Sequence, residues 1–218
     1  MSFLLRVILP DKPGNLGAVA SALGGAGADI LSVDVVERGD GQAVDDLAVE
    51  LPAGRPPDVL ITAAESVPGV AVESVRPYTG HLDTHRELEL VDEIAGNPGK
   101  GLALLADEVP RLFRAGWALV AVSENGRSYR IAESAAAPAT RAGDLPWLPL
   151  ESAVALDERH WVPDPWRALD TELAAAPFGV GTPPKTLVVG RPGGPIFRPS
   201  ELARLAHLAG IVATVLKA

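Results

Sequence analysis

Asp11-Lys12-Pro13-Gly14-Asn15-Leu16 is the stretch whose residue types suit a small polar ligand. Pro13 fixes φ and removes a backbone donor, while Gly14 can take a φ that other residues avoid. A glycine at a strand-to-helix turn lets a ligand approach the backbone. The helix that follows offers unpaired N–H groups to a carboxylate. A free amino acid's carboxylate fits there, and its ammonium then needs acceptors nearby. Asp11 can supply one through a charge-assisted hydrogen bond, or it can simply start an Asx-type turn.

Other side chains argue against catalysis. The chain has no cysteine, which removes disulfides, thiol nucleophiles and thiolate-bound metals. His81 and His85 stand four apart with Asp83 between them, a spacing able to hold a metal on a helix face, but no third ligand completes a motif. Asn97-Pro98-Gly99-Lys100-Gly101 has the look of a phosphate loop. Ile94 stands where its first glycine belongs, however, and Gly101 where a hydroxyl should meet magnesium. No Gly-x-Ser-x-Gly elbow anchors a hydrolase triad. Asp45-Asp46 and Asp92-Glu93 read as solvated faces rather than acid/base pairs. Trp147, Trp161 and Trp166 read as packing residues before they read as pocket walls. The expectation is a protein that is not an enzyme and uses no cofactor and no metal.

The elements that must hold the loop follow from periodicity. Phe3 to Leu9 is an aliphatic run that predicts a strand. Leu16, Val19, Ala20 and Leu23 then recur at helical spacing, with Asn15 as N-cap, until Gly24-Gly25 and Gly27 stop the helix. Ile30 to Val36 and Val44 to Leu51 predict two strands joined by a loop at Glu37-Arg38-Gly39-Asp40-Gly41. Pro56-Pro57-Asp58 opens a second helix, Pro68-Gly69 ends it, and Val70 to Val75 is a fourth strand. The order is β-α-β-β-α-β, the split pattern of ferredoxin-like sandwiches.

With Asp11-Lys12-Pro13-Gly14-Asn15-Leu16 after the first strand and Gly27-Ala28-Asp29-Ile30 opening the second, residues 3 to about 77 resemble an ACT domain, a regulatory module that binds amino acids. The resemblance implies ligand contacts at Asp11, Pro13, Gly14, Asn15, Leu16, Asp29 and Ile30. It puts Asp11 and Asp29 where relatives often carry Asn; the other role for Asp29 is a strand cap. It also implies a homodimer, since ACT domains pair side by side and a four-stranded sheet leaves edges open.

Pro77-Tyr78-Thr79-Gly80 reads as a linker. Beyond it Leu88, Val91 and Ile94 trace a helix face, capped by Asp83 or Thr84. Leu102, Leu105, Val109, Leu112 and Phe113 trace another, with Pro110 as a kink or restart. Trp117 to Ser123 and Arg127 to Glu133 are strands about a Glu124-Asn125-Gly126-Arg127 hairpin. Ala135 to Pro165 reads as loops and short elements, Thr171 to Pro177 and Leu187 to Gly190 as strands. Ser200 caps a last helix striped with Leu202, Leu205, Ala209, Val212 and Val215. Two stretches, Leu105 to Val122 and Thr186-Leu187-Val188-Val189-Gly190 through Phe197-Arg198-Pro199-Ser200-Glu201-Leu202, make this part similar to a GAF domain, a sensory fold with a central antiparallel sheet and helices at both chain ends. The bilin-binding cysteine and the cyclic-nucleotide signature of that family are absent from the sequence.

The fold expected is therefore α+β: a ferredoxin-like βαββαβ ACT-type domain over 1–78 and a GAF-like antiparallel-sheet domain with flanking helices over 79–218. The 218 residues carry 19 Lys+Arg against 28 Asp+Glu, for a net charge of −9, which argues against nucleic acid as a partner. Mean hydropathy is +0.18, and no apolar run reaches membrane-spanning length. These features lead to the expectation of a cytoplasmic amino-acid-binding regulator, homodimeric through its ACT domains and serving a metabolic enzyme. An interaction subunit that docks a partner through its sheet edge is the alternative.

Overall fold

The structure, a computed structural model, describes residues 1–78, 85–139, 145–157, 159–179 and 181–217. It is mixed α+β with two antiparallel sheets, and the chain divides into two units, Met1–Leu82 and Asp83–Ala218.

In the first unit the strands are β1 (Ser2–Pro10), β2 (Asp29–Gly39), β3 (Gln42–Glu50) and β4 (Ala71–Pro77), and the helices α1 (Asn15–Gly25) and α2 (Asp58–Glu65). The sheet order is β2-β3-β1-β4, with every neighbouring pair antiparallel. Alternation sends Leu5, Val7 and Leu9 of β1 and Leu47 and Val49 of β3 into one core with Val19 and Leu23 of α1 and Leu60 and Ala64 of α2. Three local expectations change. Gly14, not Asn15, holds the cap position, with φ 92°. Asn15 begins the helix, and its Nδ2 donates to the Pro10 carbonyl at 2.9 Å, closing the turn. The loop foreseen at 37–41 is a two-residue turn: Glu37, Arg38 and Gly39 extend β2, and Asp40 (φ 53°) and Gly41 (φ 75°) take the left-handed pair that a tight hairpin needs. Asp45 and Asp46 are not solvated; both are buried in β3. Arg6 Nε and Nη2 donate to the two oxygens of Asp46 at 2.7 and 2.8 Å, and neither side chain meets solvent.

In the second unit the strands are β5 (Trp117–Glu124), β6 (Arg127–Glu133), β7 (Val154–Leu156), β8 (Glu172–Pro177) and β9 (Lys185–Arg191), in the order β6-β5-β9-β8-β7. The helices are α3 (Arg86–Gly96), α4 (Gly101–Leu112), the single turn α5 (Asp164–Arg167) and α6 (Pro199–Val215). Ala118 and Val120 of β5 and Leu187 and Val189 of β9 pack with Ile94, Leu105, Val109, Leu205 and Val212 of the helices. The alternate residues Trp117, Leu119, Leu173 and Val188 pack with Leu145, Leu156, Val162 and Trp166 from the segment between β6 and β8. Arg191 binds the ends of two helices together: its guanidinium donates to the Phe113 carbonyl (2.7 Å), the Pro195 carbonyl (3.0 Å) and Glu201 Oε1 (2.6 Å).

Here too details differ from expectation. On α3 the buried pair is Leu90 and Ile94, while Leu88 is 70% exposed. Pro110 does not restart the helix: α4 runs through it, and it lies buried in the last turn. Ser200 does not cap α6; Arg198 stands at the cap and its N–H donates to Glu201 Oε2 at 2.9 Å. His81, Asp83 and Thr84 lie outside the described residues. Among the described residues no group of three metal-ligating side chains occurs, and no helix is long and apolar enough to cross a membrane.

Candidate functional site

The loop after β1 is built from its own backbone. Asp11 N donates to Gly41 O (2.9 Å), Lys12 N to Pro10 O (2.8 Å) and Asn15 N to Lys12 O (3.2 Å), so the turn is tied both to itself and to the β2–β3 hairpin. Gly14 reverses the chain into α1 with φ 92°, and no side chain caps that helix. A Cβ at Gly14 would meet nothing within 4 Å, so the glycine serves the dihedral angle and not a close contact. Pro13 and Gly14 are exposed, Asn15 and Leu16 half-buried, and Leu16 packs onto the core.

Of the seven predicted residues, the structure brings five together. Asp11, Pro13, Gly14, Asn15 and Leu16 share the loop, whereas Asp29 and Ile30 lie at the far end of the sheet. Asp29 stands opposite Glu50, and Arg38, beside the loop, stands opposite Ala43. Those positions are seven residues apart on β3, about 24 Å at strand spacing. Asp11 and Asp29 therefore cannot hold one small ligand within a single chain. Ile30 turns into the core.

Two residues that the sequence reading did not assign to this site stand at the loop end instead. Arg38 donates to both oxygens of Asp11, from Nη2 at 2.5 Å and Nε at 3.2 Å, and this pair raises the guanidinium's pKa, first through the hydrogen bond. Asp45 lies under the same end of the sheet. It is 2% exposed, and its Oδ1 has no hydrogen-bond partner. Burial pushes its carboxyl above the ordinary value, with Arg38 pulling the other way. The signals were present: an acid pair inside an otherwise aliphatic strand, and a basic residue just ahead of an Asp-Gly turn.

In the second unit, Trp117 and Trp166 meet edge to face at 5.9 Å and are nearly fully buried, so they pack and wall no opening. Trp147 Nε1 donates to the Trp161 carbonyl at 2.7 Å. An open groove of about 500 Å³ runs between α3 and α6, where Leu88, Val91, His207 and Ile211 flank a Glu87–Arg204 ion pair.

No family description and no curated protein matches the chain. Similar solved structures include the GAF domain of an Acinetobacter phosphoenolpyruvate-protein phosphotransferase (14% identity, 62% of this chain and 95% of that one, TM-score 0.47). An unknown protein from Galdieria sulphuraria aligns over 99% of this chain and 91% of that one at 13% identity and TM-score 0.34. A formyltetrahydrofolate deformylase from Pseudomonas putida aligns at 13% identity and TM-score 0.30, over 44% of this chain and only 39% of that one. At such scores none of them identifies a family.

Proposed function

We propose that the protein is a non-enzymatic regulator that binds a free amino acid at the β1–α1 loop. The first unit would be a ferredoxin-like, ACT-type module and the second a GAF-like one. The observation that carries this reading is the left-handed Gly14 turn leading into an uncapped α1, beside the Arg38–Asp11 pair. Unpaired N–H groups of a first helical turn attract a carboxylate, and a neighbouring guanidinium reinforces that attraction. The second unit supports its assignment by a central antiparallel sheet with helices from both its chain ends packed on one face.

A homodimer is part of the proposal. Antiparallel pairing of β2 with a second copy would bring the Asp29 end of one strand to the Arg38 end of the other, so Asp29 could complete a site that its own chain cannot. Ligand binding would then act by favouring one dimer arrangement over another. A cytoplasmic setting and a metabolic enzyme as the target belong to the same reading.

A thermal-shift series with the twenty amino acids tests it, since a ligand selective for the native state raises the melting temperature. A rise with one amino acid that is lost in Asp11→Ala or Asp29→Ala supports the sensor; no rise at millimolar concentration refutes it. The second reading, a docking subunit without a ligand, is favoured by the exposed Leu31 (52%), Val33 (43%) and Val35 (50%) on edge strand β2. Capture of a partner that survives Asp11→Ala would support it.

A further inference from the structure

We infer that Asp45 is the ammonium acceptor of this site and that the ligand is an aliphatic α-amino acid; the inference rests on the amino-acid reading above. A carboxylate withdrawn from water is strongly disfavoured unless a cation or hydrogen-bond donors replace the water. Asp45 is 2% exposed, and its Oδ1 has none of these. Its direct cross-strand neighbours are Val7 on β1 and Val35 on β2, which offer nothing polar from their side chains. The guanidinium that acts on it, Arg38, is already engaged through Nε and Nη2 by Asp11. A ligand ammonium would meet that need.

The aliphatic preference follows from the same register. Val35 is opposite Asp45 and Val33 opposite Leu47, so both share the helix-side face with them. Leu47 is fully buried and Asp45 nearly so, while Val33 is 43% and Val35 50% exposed. The helix layer thus covers Ile30 but ends short of Val33 and Val35, leaving a two-valine shelf beside a carboxylate whose Oδ1 is unmet. An aliphatic side chain covers such a shelf, and an ammonium on the same Cα answers the acid. A charged or amide side chain would be desolvated there without a partner.

Calorimetric titration of the full chain separates the claims, using L-valine, L-leucine and L-isoleucine, then L-serine and L-arginine. Isovalerate, which is valine without its amine, is the control for the ammonium. The expected result is that an aliphatic amino acid binds, that isovalerate binds at least about tenfold more weakly, and that Asp45→Asn loses at least about tenfold in affinity. Equal binding of valine and isovalerate, or unchanged affinity in a folded Asp45→Asn, overturns the role of Asp45 while leaving the amino-acid reading intact. Preference for serine or arginine overturns the aliphatic assignment alone. No binding of any of these five, together with no thermal shift from any of the twenty amino acids, refutes the amino-acid reading itself. Should Asp45→Asn fail to fold, the valine–isovalerate comparison on the unaltered protein decides.

Discussion

In the five-stranded sheet, β5, β8 and β9 are covered on both faces by the chain's own side chains: helices on one, Trp166 with Leu145, Leu156 and Val162 on the other. In the four-stranded sheet the helix layer fills the face over β1 and β3 but leaves Val33 and Val35 of β2 partly in solvent. The same principle of one apolar face per element therefore yields a sheet closed on both faces over β5, β8 and β9 and a sheet left open along β2. Closure serves stability. An uncovered aliphatic row next to a buried acid is costly to keep, and that is where a ligand or a second chain has something to gain.

The largest losses are expected where the doubly covered sheet is opened. Trp166→Ala removes the largest fully buried side chain and should cost about 3–5 kcal/mol in chemical denaturation. Asp46→Ala in the first unit removes the bidentate partner of the buried Arg6 and should cost about 3–5 kcal/mol, whereas Arg6→Met with Asp46→Leu should restore most of it. The open end should respond in the opposite sense. Asp45→Asn is expected to stabilise the ligand-free protein by about 1 kcal/mol at neutral pH, because the buried charge is gone. Its pH dependence has a definite sign. Burial raises the folded-state pKa of Asp45 above 3.8, so the folded protein binds this proton more tightly than the unfolded chain. Stability from this group accordingly falls as pH rises from 3.8 through the folded value, and the Asn variant should lack that decline in melts taken across the window. Asp11→Ala should cost less than about 1 kcal/mol, because its partner Arg38 is largely in solvent. Smallest of all, Val35→Lys should leave the folding stability within about 0.5 kcal/mol of the parent's. In sedimentation velocity the same change should abolish any dimer formed through β2; an unchanged dimer would exclude that edge.

Elements were easier to read from the sequence than contacts. The β1–Gly14–α1 turn was legible because proline and glycine declare their dihedral angles locally. The Asp-Gly and Asn-Gly hairpins declare theirs too, although Glu37 to Gly39 proved to be strand because only the central pair of a tight turn leaves the ladder. On α3, Leu88 and Leu90 both fit a helical stripe with Val91 and Ile94, and only packing chose Leu90. What could not be read was register. Arg38 meets Asp11 across 27 residues, and Arg6 meets Asp46 across 40. Neither pairing has a local signature, and the second turns an apparent solvated diacid into a buried ion pair and an unmatched carboxylate. That Asp29 lies at the opposite end of the sheet from the Asp11 loop was illegible for the same reason: local composition says nothing about which end of a sheet a residue occupies.

Gly190 of β9 has a consequence of another kind. A Cβ built there would fall 2.1 Å from Trp117 Cε2 and 2.3 Å from its Cζ2, so the indole occupies the space that any other residue at 190 would claim. The two positions behave as a lock with one key. Neither can drift alone: a larger residue at 190 evicts the ring, and a smaller one at 117 leaves a void under the sheet. Any lineage that changes one must pass through a damaged intermediate or alter both together, so this pair is a place where the history of the fold is held in a single choice of two residues.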